Sequence, residues 1–223
     1  MEVTAIEKSD EKLLVHALTG GKQEVFEADL VVHGAGRVPE IDDLDLAAAG
    51  VQTEERGVKV NEYLQSVSNP AVYSAGDAAA SGLRQLTPVA AYEGQIVASN
   101  LVKGNHRTVE HLAVPTVVFT IPPLATVGLL EHEARQKGFA FRLSQQDTAG
   151  WYSSRRVGEE SAGFKVLIDN GSDRVLGAHV IGPNADEVIN VFALAMQADI
   201  PASRLKHVLF AYPTPSYDVQ YML

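Results

Sequence analysis

Three short stretches of the chain hold residue types that could act on a ligand. In Ala71-Val72-Tyr73-Ser74-Ala75-Gly76-Asp77 an apolar run ends in a carboxylate. The run predicts a buried strand, and ligands of open α/β sheets bind at the carboxyl ends of their strands. Gly76 would let a ligand approach the backbone closely, and Asp77 would accept hydrogen bonds from sugar hydroxyls. A plain turn, with Asp77 capping the next segment, explains the same residues. In Leu86-Thr87-Pro88-Val89-Ala90 a helix is expected to open, with Thr87 as N-cap and Pro88 at the first helical position, where its missing N–H costs nothing. Free N–H groups there carry a partial positive charge of about half a unit and would favour an electron-rich ligand edge. An ordinary capped helix is the plainer reading. Tyr212-Pro213-Thr214-Pro215-Ser216-Tyr217 sets two phenols on a loop stiffened by prolines. Tyr212–Pro213 is a candidate cis bond, and a tied-down tail is the alternative.

The elements that must position these residues change character along the chain. Val3-Thr4-Ala5-Ile6, Leu13-Leu14-Val15-His16-Ala17-Leu18, Glu24-Val25-Phe26-Glu27 and Asp29-Leu30-Val31-Val32-His33-Gly34 read as strands. They are separated by turns at Ser9-Asp10-Glu11-Lys12 and Gly20-Gly21-Lys22. Strands without a helix between them cannot close a core alone, so residues 1–35 read as the tail of a domain. Gly57-Val58-Lys59-Val60-Asn61 is expected to be a short strand. The helix after Thr87 is expected to bury Val89, Tyr92, Ile96, Ser99 and Val102 and to stop at Gly104. Strands follow at 114–120 and 125–129, then a short helix at 131–137 closed by Gly138. Residues 163–168 and 175–181 flank Asp169-Asn170-Gly171-Ser172, a hairpin signal. Residues 185–198 pattern as an amphipathic helix burying Val188, Val191, Phe192, Ala195 and Met196.

Composition excludes several classes. The 223 residues carry a net charge of -10, which argues against nucleic acid as a partner. No run of apolar residues reaches membrane-spanning length, and no secretory signal opens the sequence. Cysteine is absent, so a disulfide framework, a thiolate metal site and a cysteine nucleophile are excluded within these residues. A cytoplasmic setting is the simplest expectation. The seven histidines, His106, His111 and His132 among them, show no ligand spacing; all read as surface residues, and no metal site is expected.

In their order and spacing these stretches resemble the class I pyridine nucleotide–disulfide oxidoreductases, the family of glutathione reductase, dihydrolipoamide dehydrogenase and mercuric reductase. Leu30-Val31-Val32-His33-Gly34-Ala35-Gly36-Arg37-Val38-Pro39 resembles the element by which the chain leaves the pyridine-nucleotide domain, with Glu40 in place of the usual asparagine. Val72-Tyr73-Ser74-Ala75-Gly76-Asp77 resembles the second FAD fingerprint, whose aspartate binds the ribityl chain. Leu86-Thr87-Pro88-Val89-Ala90 resembles the helix start that faces the flavin pyrimidine. Residues 115–129 resemble the opening of the interface domain.

The resemblance implies an α+β fold. Residues 1–35 would be the last strands of a pyridine-nucleotide domain, 36–110 the closing part of a Rossmann-like FAD domain, and 111–223 an antiparallel dimerisation domain with helices. It implies FAD as cofactor, bound through Gly76, Asp77, Leu86, Thr87, Pro88 and Ala90, with NAD or NADP as electron donor. It implies a homodimer through 111–223 that lends its terminal loop to the partner's flavin, and a further N-terminal half, the part in which the family carries its redox cysteine pair and both G-x-G-x-x-G motifs. The terminal loop departs from the pattern. Disulfide-reducing members carry a histidine and a glutamate where Tyr212 and Tyr217 stand here. Tyrosine as a residue type is a proton donor more than a base at neutral pH. An acceptor other than a disulfide is therefore expected. A non-catalytic dimerisation module is the alternative for these residues alone.

Overall fold

In a computed structural model the described residues are 1–9, 11–34, 36–110 and 113–223. Asp10 of the expected first turn, Ala35 of the glycine-rich bend and His111 lie outside them. The chain gathers into two compact units, Met1–Ser81 and Gly82–Leu223.

The first unit opens with an antiparallel meander of β1 (Glu2–Ser9), β2 (Lys12–Thr19) and β3 (Lys22–Ala28), in that order. Thr19 pairs with Lys22 across Gly20 and Gly21, whose φ values of 57° and 82° make the tight turn that matches strand twist. Ala17 of the middle strand is buried, while every residue of β1 is exposed. The fourth expected strand does not form. Residues 30–34 have no regular structure, and Leu30 and Val32 are 75% and 82% exposed. Its apolar run has no ladder partner among the described residues, and a strand exists only through its neighbours.

Beyond that segment the chain is held by short pieces: β4 (Thr53–Glu54) paired with β5 (Gly57–Val58), and a loop region around the fully buried Leu64. Asn61 Oδ1 accepts from the N–H groups of Tyr63 and Gln65. The expected strand at 71–75 is not one either. It is half-buried and tied by an isolated bridge between Gln65 and Tyr73 and by Ser74 N–H donating to Leu64 O.

The second unit begins with helix α1 (Thr87–Lys103), which ends at Gly104 with φ 78°. Its buried stripe is Val89, Glu93, Ile96 and Asn100, and Val102 is exposed. The helical period was legible but the polar members were not. Asn100 is buried because its amide is used up: Oδ1 accepts from the N–H groups of His106 and Arg107, and Nδ2 donates to Arg107 O.

A five-stranded antiparallel sheet follows, formed by β6 (Thr116–Val118), β7 (Leu124–Gly128), β8 (Phe141–Asp147), β9 (Gly163–Asp169) and β10 (Val175–Ile181). Their order is β6-β7-β10-β9-β8. Short helices α2 (Glu131–Gln136) and α3 (Tyr152–Arg155) flank β8 in sequence. The long helix α4 (Ala185–Gln197) lies over β7 and β10 and buries Val188, Ile189, Phe192 and Ala195 against Val127, Phe164, Val166, Ile168, Ala178 and Val180. Val191 and Met196, expected in that stripe, are only partly buried. Helices α5 (Ala202–Leu205) and α6 (Val219–Met222) complete the core with Leu205, Val219 and Met222.

Asp173, in the β9–β10 turn, stitches this unit together. Its carboxylate accepts from Arg142 on β8 and from the Ser203 N–H at the start of α5. Hydrogen bonds from the Ser203 side chain first, then from Arg142 and the Ser203 N–H, hold its pKa down to about 2. His179 corrects the expectation of surface histidines. It sits half-buried on β10 with Nδ1 2.5 Å from Thr126 Oγ1 and Nε2 3.2 Å from Leu129 O, and burial lowers its pKa.

Candidate functional site

Asp77 is delivered by a turn of the first unit. Ala75 is extended, Gly76 takes φ 67°, and Gly76–Ala78 form one turn of 3-10 helix closed by the Ala79 N–H donating to Gly76 O. The turn is docked on β5: Ala79 bridges Val58 in parallel, and Ala80 N–H donates to Val58 O at 2.9 Å. Gly57 makes that docking possible. A Cβ built there would lie 2.3 Å from Ala78 O, and Gly57 has φ 125°. Sequence reading did not single out Gly57, since Ala78, whose approach it permits, lies far along the chain. Asp77 Oδ2 accepts from Arg37 Nη1 at 2.9 Å, so the arginine of the glycine-rich element meets the aspartate of the fingerprint.

The start of α1 belongs to the second unit. Its N-cap is Leu86, extended and without a side-chain cap, and Leu86 O accepts the Ala90 N–H at 2.9 Å. Thr87 is therefore the first helical residue and not the cap, so the helix starts one position earlier than expected, with Pro88 inside the first turn. The shift follows from which carbonyl takes the first helical bond. No acidic side chain stands in that turn, so its positive end is not neutralised from within.

The terminal loop brings Tyr212 and Tyr217 together. The Tyr212–Pro213 peptide is cis, as its residues suggested. Thr214 Oγ1 donates to Ala211 O at 2.6 Å, and a 3-10 turn at Pro215–Asp218 runs into α6. The rings of Tyr212 and Tyr217 meet edge to face, centroids 5.0 Å apart. They line a cleft of about 760 Å³ with Trp151, Tyr152, Arg156 and Tyr221. Ser153 of α3 donates to Asp218 Oδ2. Burial nevertheless raises the Asp218 pKa, outweighing that bond. The hydrogen bond between Tyr221 and Tyr217, first among several causes, pushes the Tyr221 phenol up. Sequence reading missed Trp151, Tyr152, Arg156 and Asp218. The one available signal was the adjacent Trp151-Tyr152 pair in a polar stretch.

The sign of the Asp218 shift gives a test. A carboxyl with a raised folded pKa binds more protons in the folded than in the unfolded chain, so stability falls as pH rises from 3.8 through the folded value. Asp218→Asn lacks that titration. Its stability relative to the parent is expected to improve as pH is raised from about 3 to 7 in urea unfolding series. A relative stability that worsens over that range would contradict the burial argument.

A family model described as the pyridine nucleotide-disulphide oxidoreductase dimerisation domain matches residues 114–222. A second, pyridine nucleotide-disulphide oxidoreductase, matches residues 1–94. The chain is 35% identical to a mercuric reductase of Lysinibacillus sphaericus over 94% of its own length and 38% of that protein's. The chain belongs to the class I pyridine nucleotide–disulfide oxidoreductases. Among other relatives in this family, dihydrolipoyl dehydrogenase 1 of Arabidopsis thaliana is 31% identical over 96% of this chain and 42% of that one. The α+β fold agrees: the HOCl-induced flavoprotein disulfide reductase RclA of Escherichia coli, solved as a Cu(II) complex, superposes with a TM-score of 0.85. It is 25% identical over 100% of this chain and 49% of that one. The chain thus spans half or less of these family members. It also spans the whole of a shorter relative, an uncharacterised 19.7 kDa protein in the mercuric resistance operon of Staphylococcus aureus, at 46% identity. Among the described residues no cluster of histidine, aspartate and glutamate could hold a metal, and no helix is long and apolar enough to cross a membrane.

Proposed function

We propose that the chain forms the flavin-facing and partner-facing half of an FAD-dependent oxidoreductase that takes electrons from NADH or NADPH and passes them to an acceptor other than a disulfide. The observation that carries this reading is the contact of Tyr212 with Tyr217 at 5.0 Å, at the positions where disulfide-reducing members hold histidine and glutamate. Two phenols offer O–H donors and ring surfaces, and neither is a base of histidine's kind.

The residues present fit the cofactor. Asp77, whose Oδ2 is met by Arg37, offers a carboxylate to ribityl hydroxyls beside Gly76, a residue with no side chain of its own. Leu86, Thr87, Pro88 and Ala90 form a helix start with no acidic side chain, suited to the electron-rich pyrimidine edge. When bound, the flavin supplies the relay of electrons between nucleotide and acceptor. Asp77→Ala is expected to weaken FAD binding by about tenfold or more, the worth of a charged hydrogen-bonding group. Flavin absorbance retained after removal of unbound cofactor reads this. An affinity equal to the parent's would remove Asp77 from the flavin site.

The assembly we propose is a homodimer through residues 111–223, working in the cytoplasm. Phe119, Ile121 and Leu209 are 80%, 100% and 95% exposed, and large apolar side chains left in water favour a partner surface. The 19.7 kDa relative, spanned end to end, favours a second reading: a dimerisation module without catalysis of its own.

A further inference from the structure

Five of the side chains that line the cleft beside Tyr212 are aromatic. Tyr152 and Tyr212 lie nearly parallel, 6.1 Å between centroids and 28° between planes. That is closer than the roughly 7 Å a third ring would need between them, at about 3.5 Å per stacking contact. The pair therefore leaves no slot between its rings and forms one wall of the cleft, on which a ligand ring would stack against an outer face. Tyr217 stands edge-on to Tyr212, Tyr221 edge-on to Tyr217 at 6.0 Å, and Trp151 meets Tyr221 at 6.0 Å and 77°. An incoming ring finds both electron-rich faces and electropositive edges. The volume, about 760 Å³, lies within the range of small-molecule sites, about 300–1,000 Å³.

The charge in the cleft is equally specific. Arg156 lines it, is exposed, and forms no ion pair among the described residues. The lining carboxyl, Asp218, is engaged by the Ser153 hydroxyl. A disulfide or a dithiol has no face to stack on this wall. We propose that the cleft binds a flat aromatic diketone carrying an anionic substituent, a quinone-type molecule, stacked on the Tyr152–Tyr212 wall with its anionic group at Arg156. The inference rests on reading this cleft as the acceptor side, and it names the acceptor's chemical class.

Trp151 is the one tryptophan of the chain and lines the cleft, so its emission reports on occupancy. The full chain is titrated with a naphthoquinone sulfonate and, separately, with the uncharged methyl naphthoquinone; calorimetry supplies the stoichiometry. Saturable quenching at one molecule per chain is expected. Tyr152→Ala is expected to weaken both probes. Arg156→Gln is expected to weaken the sulfonate by about tenfold, the loss of one charge-assisted contact, and to leave the uncharged quinone unchanged. Both side chains are exposed, and circular dichroism checks that the variants fold. Quenching that never saturates, or equal affinity of the parent and both variants, would overturn the proposal. FAD binding is read separately through flavin absorbance. Flavin bound with no quinone bound sinks this inference and leaves the flavin reading standing. Quinone bound with no flavin bound does the reverse.

Discussion

Phe192→Ala is expected to remove about 3–5 kcal/mol of stability, the usual cost of deleting a fully buried aromatic side chain. Phe192 is 0% exposed and belongs to the cluster between α4 and the sheet. The cost has two parts. The ring loses its transfer free energy, and the void it leaves has walls of sheet residues that cannot collapse into it. Val166, Ile168, Ala178 and Val180 are fixed by ladders on both sides of β9 and β10. Urea unfolding followed by far-ultraviolet circular dichroism measures the change. A loss under about 1 kcal/mol would mean that the helix does not rest on the sheet through this side chain.

Gly177→Ala is expected to be the second most damaging change, at the upper end of the 1–3 kcal/mol typical of overpacking or beyond it. A Cβ at Gly177 would lie 2.0 Å from Leu129 O, and one at its cross-strand partner Gly128 would lie 2.3 Å from Leu176 O. Both obstacles are backbone, so no rotamer change relieves them. The strand also carries a register shift between Val175 and Gly177 in its pairing with β9. Leu129 N–H donates to Leu176 O at 2.8 Å there, and moving the strands apart would lose that bond. Thermal unfolding of Gly177→Ala beside Gly171→Ala is the comparison. Gly171 meets only the flexible Asp169 side chain, at 3.5 Å, so a Gly177 variant no worse than the Gly171 variant would refute the close approach.

What the sequence made legible follows from how local each signal is. The β9–β10 hairpin and α4 were readable because turn residues and apolar period sit within one short window. β8 was not, because Phe-Arg-Leu-Ser-Gln-Gln-Asp is an edge strand with mostly exposed side chains and little alternation. The runs at 29–34 and 71–75 misled for the opposite reason. Their apolar composition is strand-like, but ladder partners, which composition does not encode, are missing or limited to isolated bridges. The candidate site divides the same way. Gly76 and Asp77 stand together in sequence. Gly57 and Arg37, which set the turn and meet its carboxylate, come from elsewhere in the chain. The cleft joins residues 151–156 to residues 212–221, two groups far apart in sequence that meet only in the folded chain.

Both readings of function rest on the proposed homodimer through residues 111–223, which hold the domain matched at 114–222. Sedimentation equilibrium of the purified chain tests it most directly. A mass of twice the 23.9 kDa chain, holding across dilution through the micromolar range, is the expected result, since apolar interfaces of obligate dimers are large and tight. A single-chain mass throughout that range would contradict the interface role of residues 111–223, and with it the contribution of the Tyr212 loop to a partner's flavin.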